Sequence, residues 1–192
     1  KKVLVIGGGD TGSDCVGTAN RHKAASVTQI EIMPQPPVGH NPETPWPLYP
    51  QVLKTSSSHE EGCIRRWNLA SVRFIGDKNT LKGVEVEEVK WQPTEKEGRP
   101  EMRKTGRTEV IEADLVFLAM GFIHPEQEGL VKELSLAVDA RGNIAVDPVT
   151  NQIADTNLFA SGDAVSGASL VVRAMASGRK VAAAIDQYLR NK

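Results

Sequence analysis

Cysteine is scarce in this chain of 192 residues: Cys15 and Cys63 lie far apart, with no CxxC pair and no Cys/His ligand spacing. That excludes a disulfide scaffold and argues against a metal centre. No metal ligand is therefore expected, and a reducing, cytoplasmic compartment is. An excess of one charge is lacking too, since 23 Lys plus Arg stand against 24 Asp plus Glu, a formal net charge of -1. No global field draws such a chain to phosphate polymers or anionic membranes, so neither nucleic acid nor a membrane is expected as a partner. Long apolar runs are also missing. The longest uncharged one, Leu115 to Ile123, falls far short of the roughly 20 residues that a spanning helix needs. No initiating Met and no charged-then-apolar leader precede KKVLVIGGG, so the chain reads as part of something longer.

At about 150 residues per domain the length allows one domain or two small ones. Val3 to Ile6 is a short β-branched run, followed by a glycine cluster and by Asp10 to His22, whose composition suits a helix. A second strand is expected at Val27 to Met33. Pro34 to Pro50 then holds seven of the 11 prolines and reads as a long, stiff surface loop, either a spacer or a surface that meets a ligand or partner. A coil through Ser56, Ser57 and Ser58 leads to an expected helix over His59 to Trp67. Ser71 to Ile75, Gly83 to Trp91 and Thr108 to Ala113 read as strands of a meander, with turns at Gly76 to Thr80 and Glu95 to Pro100. Val84, Val86, Val89 and Trp91 alternate imperfectly with Glu85, Glu87 and Lys90, which predicts a sheet with one wet face. The continuous run Leu115 to Met120 predicts a central parallel strand buried on both faces. Beyond it come an expected helix near Gly129 to Leu134, strands at Asn143 to Val146 and ending at Phe159, and a last helix from about Ala168 to Leu189.

Gly7-Gly8-Gly9-Asp10-Thr11-Gly12 satisfies G-x-G-x-x-G directly after a strand and at the start of a helix. In that setting Gly7 allows the tight turn, Gly9 lets a pyrophosphate approach the backbone, and Gly12 lets helix and strand pack closely. The helix N-terminus adds unpaired N–H groups and a positive dipole end. The alternative is a merely structural turn in which Asp10 and Thr11 cap the helix. The fingerprint also asks for an acid about 20 residues on. Glu31 stands there, either to accept from an adenosine ribose or as a solvated carboxylate. The Glu31 charge would repel a 2′-phosphate, and no Arg or Lys lies between Thr28 and Val52 to hold one, which favours NADH over NADPH. Arg21 and His22 answer the dipole at the helix end, His59 and His124 are lone histidines, and His40 falls in the proline loop without a nearby partner, so no catalytic imidazole is expected.

Near the C-terminus an apolar strand end precedes Gly162-Asp163, and Gly167-Ala168-Ser169 opens a helix. Asp163 can accept from ligand hydroxyls, while the N–H groups of Ser169, Leu170 and Val171 face an electron-rich atom; the alternative is a capped helix after a turn.

The segments VIGGGDTGSDCVGTANRH, EIMPQPP, PWP at Pro45 to Pro47, SSSHEEG, RFIGD, EADLVFLAMGF and LFASGDAVSGASLVVRAMASGRKVAAAIDQYL cover nearly the whole chain. Together they resemble the two-dinucleotide-binding-domain flavoproteins, and more closely the C-terminal portion of the glutamate synthase small (beta) subunit family. The resemblance implies an α/β fold with two parts: residues 1–120 as a Rossmann-like, three-layer NAD(P)-binding domain with a β-meander, and 121–192 as the second part of a split FAD-binding domain. Ala119-Met120-Gly121 would be the crossing point, Gly162 and Asp163 would hold the flavin ribityl and pyrophosphate region, and Ser169 to Val171 would lie by the pyrimidine ring. It further implies hydride transfer from NAD(P)H to FAD, with electrons passing through iron-sulfur clusters upstream of this portion to a glutamate-forming large subunit. Some branches of the family carry arginines after the second strand; Ile32 and Met33 stand there in this chain, in line with NADH.

No side chain need act as acid or base in such a reaction, since the cofactors carry the chemistry. This portion is not expected to be active alone. Two alternatives remain open: an electron-input module for ferredoxin or a pyrimidine reductase, and a non-catalytic nucleotide-binding module. Apolar surface left after Gly121 also predicts a homodimer.

Overall fold

The computed structural model describes residues 1–46, 51–93 and 100–191. Two compact units emerge, Lys1–Met120 and Gly121–Lys192. The first holds β1 (Lys2–Ile6), α1 (Asp10–Arg21), β2 (Ser26–Ile30), α2 (Ser57–Glu60), β3 (Ile64–Arg66), β4 (Leu69–Asp77), β5 (Thr80–Gln92), β6 (Glu101–Glu112) and β7 (Leu115–Leu118). The expected turn at Glu95 to Pro100 lies outside the described residues except for Pro100, as do Pro47 and Pro50 of the proline loop.

Strands β3-β2-β1-β7 form a parallel sheet and β4-β5-β6 an antiparallel meander. The period of two along a strand decides how they stack. Val3 and Val5 point one way, with Val27, against Val16 and Ala19 of α1. Leu4 and Ile6 point the other way, with Ile30, onto Leu69, Val84, Val86 and Ala113. The result is three layers, α1, sheet and meander, with β1 covered on both faces as parallel sheets require. The meander keeps its outer face wet, leaving Val72, Phe74 and Val110 exposed. Its first turn is a two-residue loop, Lys78-Asn79, with both φ values positive (45° and 64°), the twist that suits a tight hairpin.

Several expectations are corrected. The helix expected over His59 to Trp67 is a single turn, Ser57–Glu60; Ile64–Arg66 instead pairs with β2, Thr28 opposite Ile64 and Ile30 opposite Arg66. Long-range strand pairing overrides local helical preference there. β2 ends at Ile30 rather than Met33. The run at Leu115 does form a parallel strand beside β1, but at the sheet's edge among the described residues. Leu115 is 37% and Leu118 61% exposed. Glu87, expected on the wet face, is covered there: beside a bulge between Glu87 and Val89 it accepts from the Gly106 N–H (3.1 Å) and pairs with Lys104 (3.2 Å).

The second unit has a small core, Val131, Ile144 and Ile153, flanked by Leu136, Val146, Leu158, Ala160 and Ala164. The strands expected at Asn143 to Val146 and before Phe159 are isolated bridges, Val138 to Ile144 and Gln152 to Phe159. The helix expected near Gly129 is an irregular turn, Gln127–Val131, broken at Glu128 and Gly129. A one-turn helix that the sequence did not announce, α3 (Asp163–Ser166), precedes α4 (Val171–Arg190), which starts three residues later than expected. Phe159 meets Tyr188 of α4 edge to face, centroids 5.5 Å apart.

Candidate functional site

The carboxyl ends of β1, β2 and β7 converge in the first unit. The chain leaves β1 for β2 on one side and returns as β7 on the other, so the β1 terminus is the switch point where open α/β sheets hold ligands. Gly7 adopts φ of 123°, and a Cβ there would collide with the Ala119 carbonyl. A Cβ on Gly12 would collide with the Gly7 carbonyl. These two glycines are therefore demanded by the close approach of turn, helix and β7. Gly9 differs: an added Cβ would meet nothing within 4 Å. Gly9 is the N-cap of α1 and supplies no side-chain hydrogen bond, so neither Asp10 nor Thr11 is the cap. The first helical bond runs from the Ser13 N–H to the Gly9 carbonyl (3.0 Å), which leaves the amides of Asp10, Thr11 and Gly12 as the open positive end of a twelve-residue helix.

Glu31 is half-buried and held in place. Its carboxylate accepts from the Gly8 N–H (2.5 Å) and the Met33 N–H (3.1 Å), fastening the glycine turn to the end of β2. Ala119 donates to the Ile6 carbonyl (2.8 Å) and is buried, while Met120 is 64% exposed beyond it. A cleft of about 480 Å³ runs from Gly8 and Gly9 past Glu31 to the proline-rich loop, which forms one wall, and on to Lys54, Arg65 and Trp67. Arg65 lies 5.2 Å over the Trp67 ring and donates to the Lys54 carbonyl (3.0 Å). The preference for NADH drawn from the sequence considered cations only up to Val52. The fold brings two more into the same cleft.

Sequence reasoning also missed a polar network behind the turn. Gln29, 2% exposed, donates to the Gly7 carbonyl (2.9 Å). His59 Nε2 lies 2.9 Å from Gln29 Oε1, and its Nδ1 accepts from the Ser56 N–H (3.2 Å). Ser56 Oγ bonds to Ser13 Oγ on α1. The one available signal was the S-x-x-H spacing of Ser56 and His59, which has the shape of a capping box. Burial, with the Arg65 charge second, holds the His59 imidazole below its ordinary value. Burial pushes the Cys15 and Cys63 thiols up, so neither is set up as a thiolate nucleophile.

In the second unit Gly162, at φ of 65°, is the N-cap of α3, and Asp163 opens that turn with its side chain exposed. Gly162 donates to Ser177 Oγ of α4 (3.1 Å). Leu170 is the N-cap of α4 and Val171 its first residue, so Ser169 stands ahead of the helix and is not one of its terminal amides. Leu170 and Val171 are exposed. Among the described residues no group of His, Cys, Asp and Glu could hold a metal ion, and no helix is long and apolar enough to cross a membrane.

A parallel sheet with a glycine turn at its switch point, backed by an antiparallel meander, defines an α/β domain of the dinucleotide-binding class. The chain belongs to the pyridine nucleotide-disulphide oxidoreductase family, whose pattern matches residues 1–178. It is 42% identical over 190 residues to the glutamate synthase [NADPH] small chain of Mycobacterium tuberculosis, covering 98% of this chain and 38% of that protein. It is 37% identical over 201 residues to the glutamate synthase [NADH] of Saccharomyces cerevisiae, covering 98% of this chain and 9% of that protein. The chain thus spans well under half the length of these curated relatives. Among solved structures, Mycobacterium tuberculosis FprA in complex with NADPH shares the fold at a TM-score of 0.68 and 13% identity, over 99% of this chain and 53% of FprA. Thioredoxin reductase of T. acidophilum does so at 0.62 and 24%, over 96% and 51%.

Proposed function

We propose that residues 1–120 bind NAD(P)H and that residues 121–192 contribute to an FAD site, so that the chain is the electron-input portion of a glutamate synthase small subunit. The observation that carries this reading is the open face at Gly9. The only side-chain-sized space on the glycine turn lies under the unpaired amides of α1 and continues into the cleft, a donor set and shape that fit a diphosphate with an adenosine beyond it.

Gly7 and Gly12 bring the backbone close and hold it. Asp10, Thr11 and Gly12 present amides to the diphosphate, and the Ala119-Met120 segment borders the turn. Glu31 can give one carboxylate oxygen to a ribose hydroxyl while the other keeps a backbone amide. Arg65 and Lys54 offer cations to a 2′-phosphate, so both cofactor forms have a partner in one cleft. In the second unit the Asp163 carboxylate suits ribityl hydroxyls, and the exposed N-terminus of the twenty-residue α4, at Leu170 and Val171, suits an electron-rich ring edge. Gly121 and Gly162 give backbone without a side chain beside these groups. The chemistry that NAD(P)H and FAD would supply when bound is hydride transfer from nicotinamide to flavin. The protein's part is to position and stabilise charge rather than to act as acid or base. Downstream iron-sulfur clusters and a glutamate-forming large subunit follow from the resemblance to the glutamate synthases. Phe122 and Ile123, 82% and 84% exposed, are the apolar side chains on which self-association would draw, and sedimentation reads it directly.

Calorimetric titration with NADH and with NADPH tests the nucleotide reading. Micromolar binding of one or both is expected. Arg65→Ala should weaken NADPH by about tenfold and leave NADH unchanged, as loss of one charged partner implies. A folded chain that binds neither overturns the reading.

A further inference from the structure

The polar network behind the glycine turn holds the turn from both sides. On one side Gln29 Nε2 donates to the Gly7 carbonyl; on the other, Ser56 bonds to Ser13 in the first turns of α1. His59 joins the two arms, and only one form of its ring satisfies both. Gln29 points its amide nitrogen at Gly7, so its oxygen faces His59 Nε2, which must carry a proton. Nδ1 accepts from the Ser56 backbone N–H and so must carry a lone pair. A second proton, on Nδ1, would face that N–H, break the capping bond and turn instead to Ser56 Oγ (3.0 Å), the atom that holds Ser13.

We propose that His59 is a positioning residue for the nucleotide site: its neutral Nε2–H form alone bonds both Gln29 and the Ser56 backbone N–H in the clamp that presents the glycine turn, so acid weakens nucleotide binding through His59. The proposal rests on the reading of the glycine turn as a nucleotide site. It needs no contact between His59 and the ligand.

The ionisable groups on the elements around His59 do not replace this control. β2 carries none. β3 offers Arg65 and Arg66, of which Arg66 is paired with Glu109, and Arg65 disfavours a second positive charge on the imidazole. Between α2 and β3 lies the Cys63 thiol, held above its ordinary value and so neutral in this range. α1 contributes Asp14, Cys15 and Arg21, the last paired with Glu61; Glu60 on His59's own turn is exposed. A ring held below its ordinary value of 6.5 keeps its stabilising bonds above that pH and loses them as pH falls toward the folded-state value. If the ligand favours the clamped turn, it must lower that value further, because the coupling is reciprocal.

The test uses ADP-ribose, which carries the adenosine and diphosphate portion and has no group titrating between pH 5.5 and 8. Calorimetry is run across that range on the chain, on His59→Leu and on His59→Gln, with far-UV circular dichroism at each pH. Wild-type affinity should fall several-fold from pH 8 to 5.5, less than tenfold because the ring titrates below 6.5. His59→Leu should bind weakly throughout. Gln can accept from the Ser56 N–H and donate to Gln29 without titrating, so His59→Gln should restore binding and remove the pH dependence. In an NMR titration, ADP-ribose should move the His59 midpoint to lower pH by the matching factor. A flat wild-type profile, a His59→Gln profile that still falls with acid, or a His59 midpoint unmoved by ADP-ribose overturns the proposal while leaving the nucleotide reading intact. A folded chain that binds no ADP-ribose at any pH overturns both.

Discussion

The two units of this chain are held together in different ways. In the first, β1 is sandwiched between α1 and the meander, and Leu4, Val5, Val16, Ile30, Val84, Val86 and Val89 are all essentially inaccessible. In the second, α4 runs for twenty residues without one buried side chain, and Val171, Val172 and Met175 are open to solvent. Its loops are fastened instead by short carboxylates. Asp139 accepts from the Arg141 and Asn143 amides (2.8 and 2.9 Å), and Asp147 from those of Val149 and Thr150 (2.9 and 2.7 Å). A closed apolar core makes the first unit a rigid platform for its site. The second has its turn geometry in place, and α4 meets it through Phe159–Tyr188 and Gly162–Ser177 while Val171, Val172 and Met175 stay exposed.

The largest expected difference lies in the cores. Leu4→Ala should cost the first unit about 2–5 kcal/mol, the usual penalty for emptying a sealed core position. Met175→Ala on the exposed face of α4 should change stability by less than about 0.5 kcal/mol. Denaturant unfolding followed by circular dichroism compares them, and equal effects would break the contrast. Next, Gly7→Ala should lower the melting temperature, since it meets both a strained φ and the Ala119 carbonyl, whereas Gly9→Ala has open space and should melt as the wild type does. Smaller again is the clamp at Glu31. Glu31→Ala frees the Gly8 amide and should cost about 1 kcal/mol, with faster amide exchange at Gly8 seen by NMR. The smallest effect is acid sensitivity in the second unit. Backbone donors hold the Asp139 and Asp147 carboxyls below their ordinary value of 3.8. Their contribution is therefore present above that pH and lost as pH falls through the depressed values. Below about pH 4 exchange should rise in the loops at 139–151 of the wild type, and Asp139→Asn should remove part of that rise.

What was legible in the sequence was local. The β1, glycine turn and α1 succession can be read because a β-branched run, three spaced glycines and a helix-compatible stretch are contiguous, and the meander because its valines recur at short intervals. What was not legible depends on partners distant in sequence. β3 has three residues and exists only because β2 offers an edge. The Leu115 run looked doubly buried because apolarity alone does not say how many neighbours a strand has. His59 looked partnerless because Gln29 lies 30 positions away, and Ser13 lies 43 from Ser56. Arg65 entered the cleft by the same route, through β3, and removed one ground for expecting NADH, the lack of a nearby cation, while the Glu31 charge stands in the same cleft. α4 starts late because its N-cap, Leu170, has extended backbone (φ -72°, ψ 141°), which nothing in the local sequence displayed.

The most direct test of the account is a pair of nucleotide titrations, with NADH and with NADPH, on the wild-type chain and on Gly9→Ala. The account predicts that the wild type binds at least one of them and that Gly9→Ala keeps the wild-type melting curve but loses about tenfold or more in affinity, because the new methyl group occupies the diphosphate's place. A Gly9→Ala chain that binds as tightly as the wild type would contradict it.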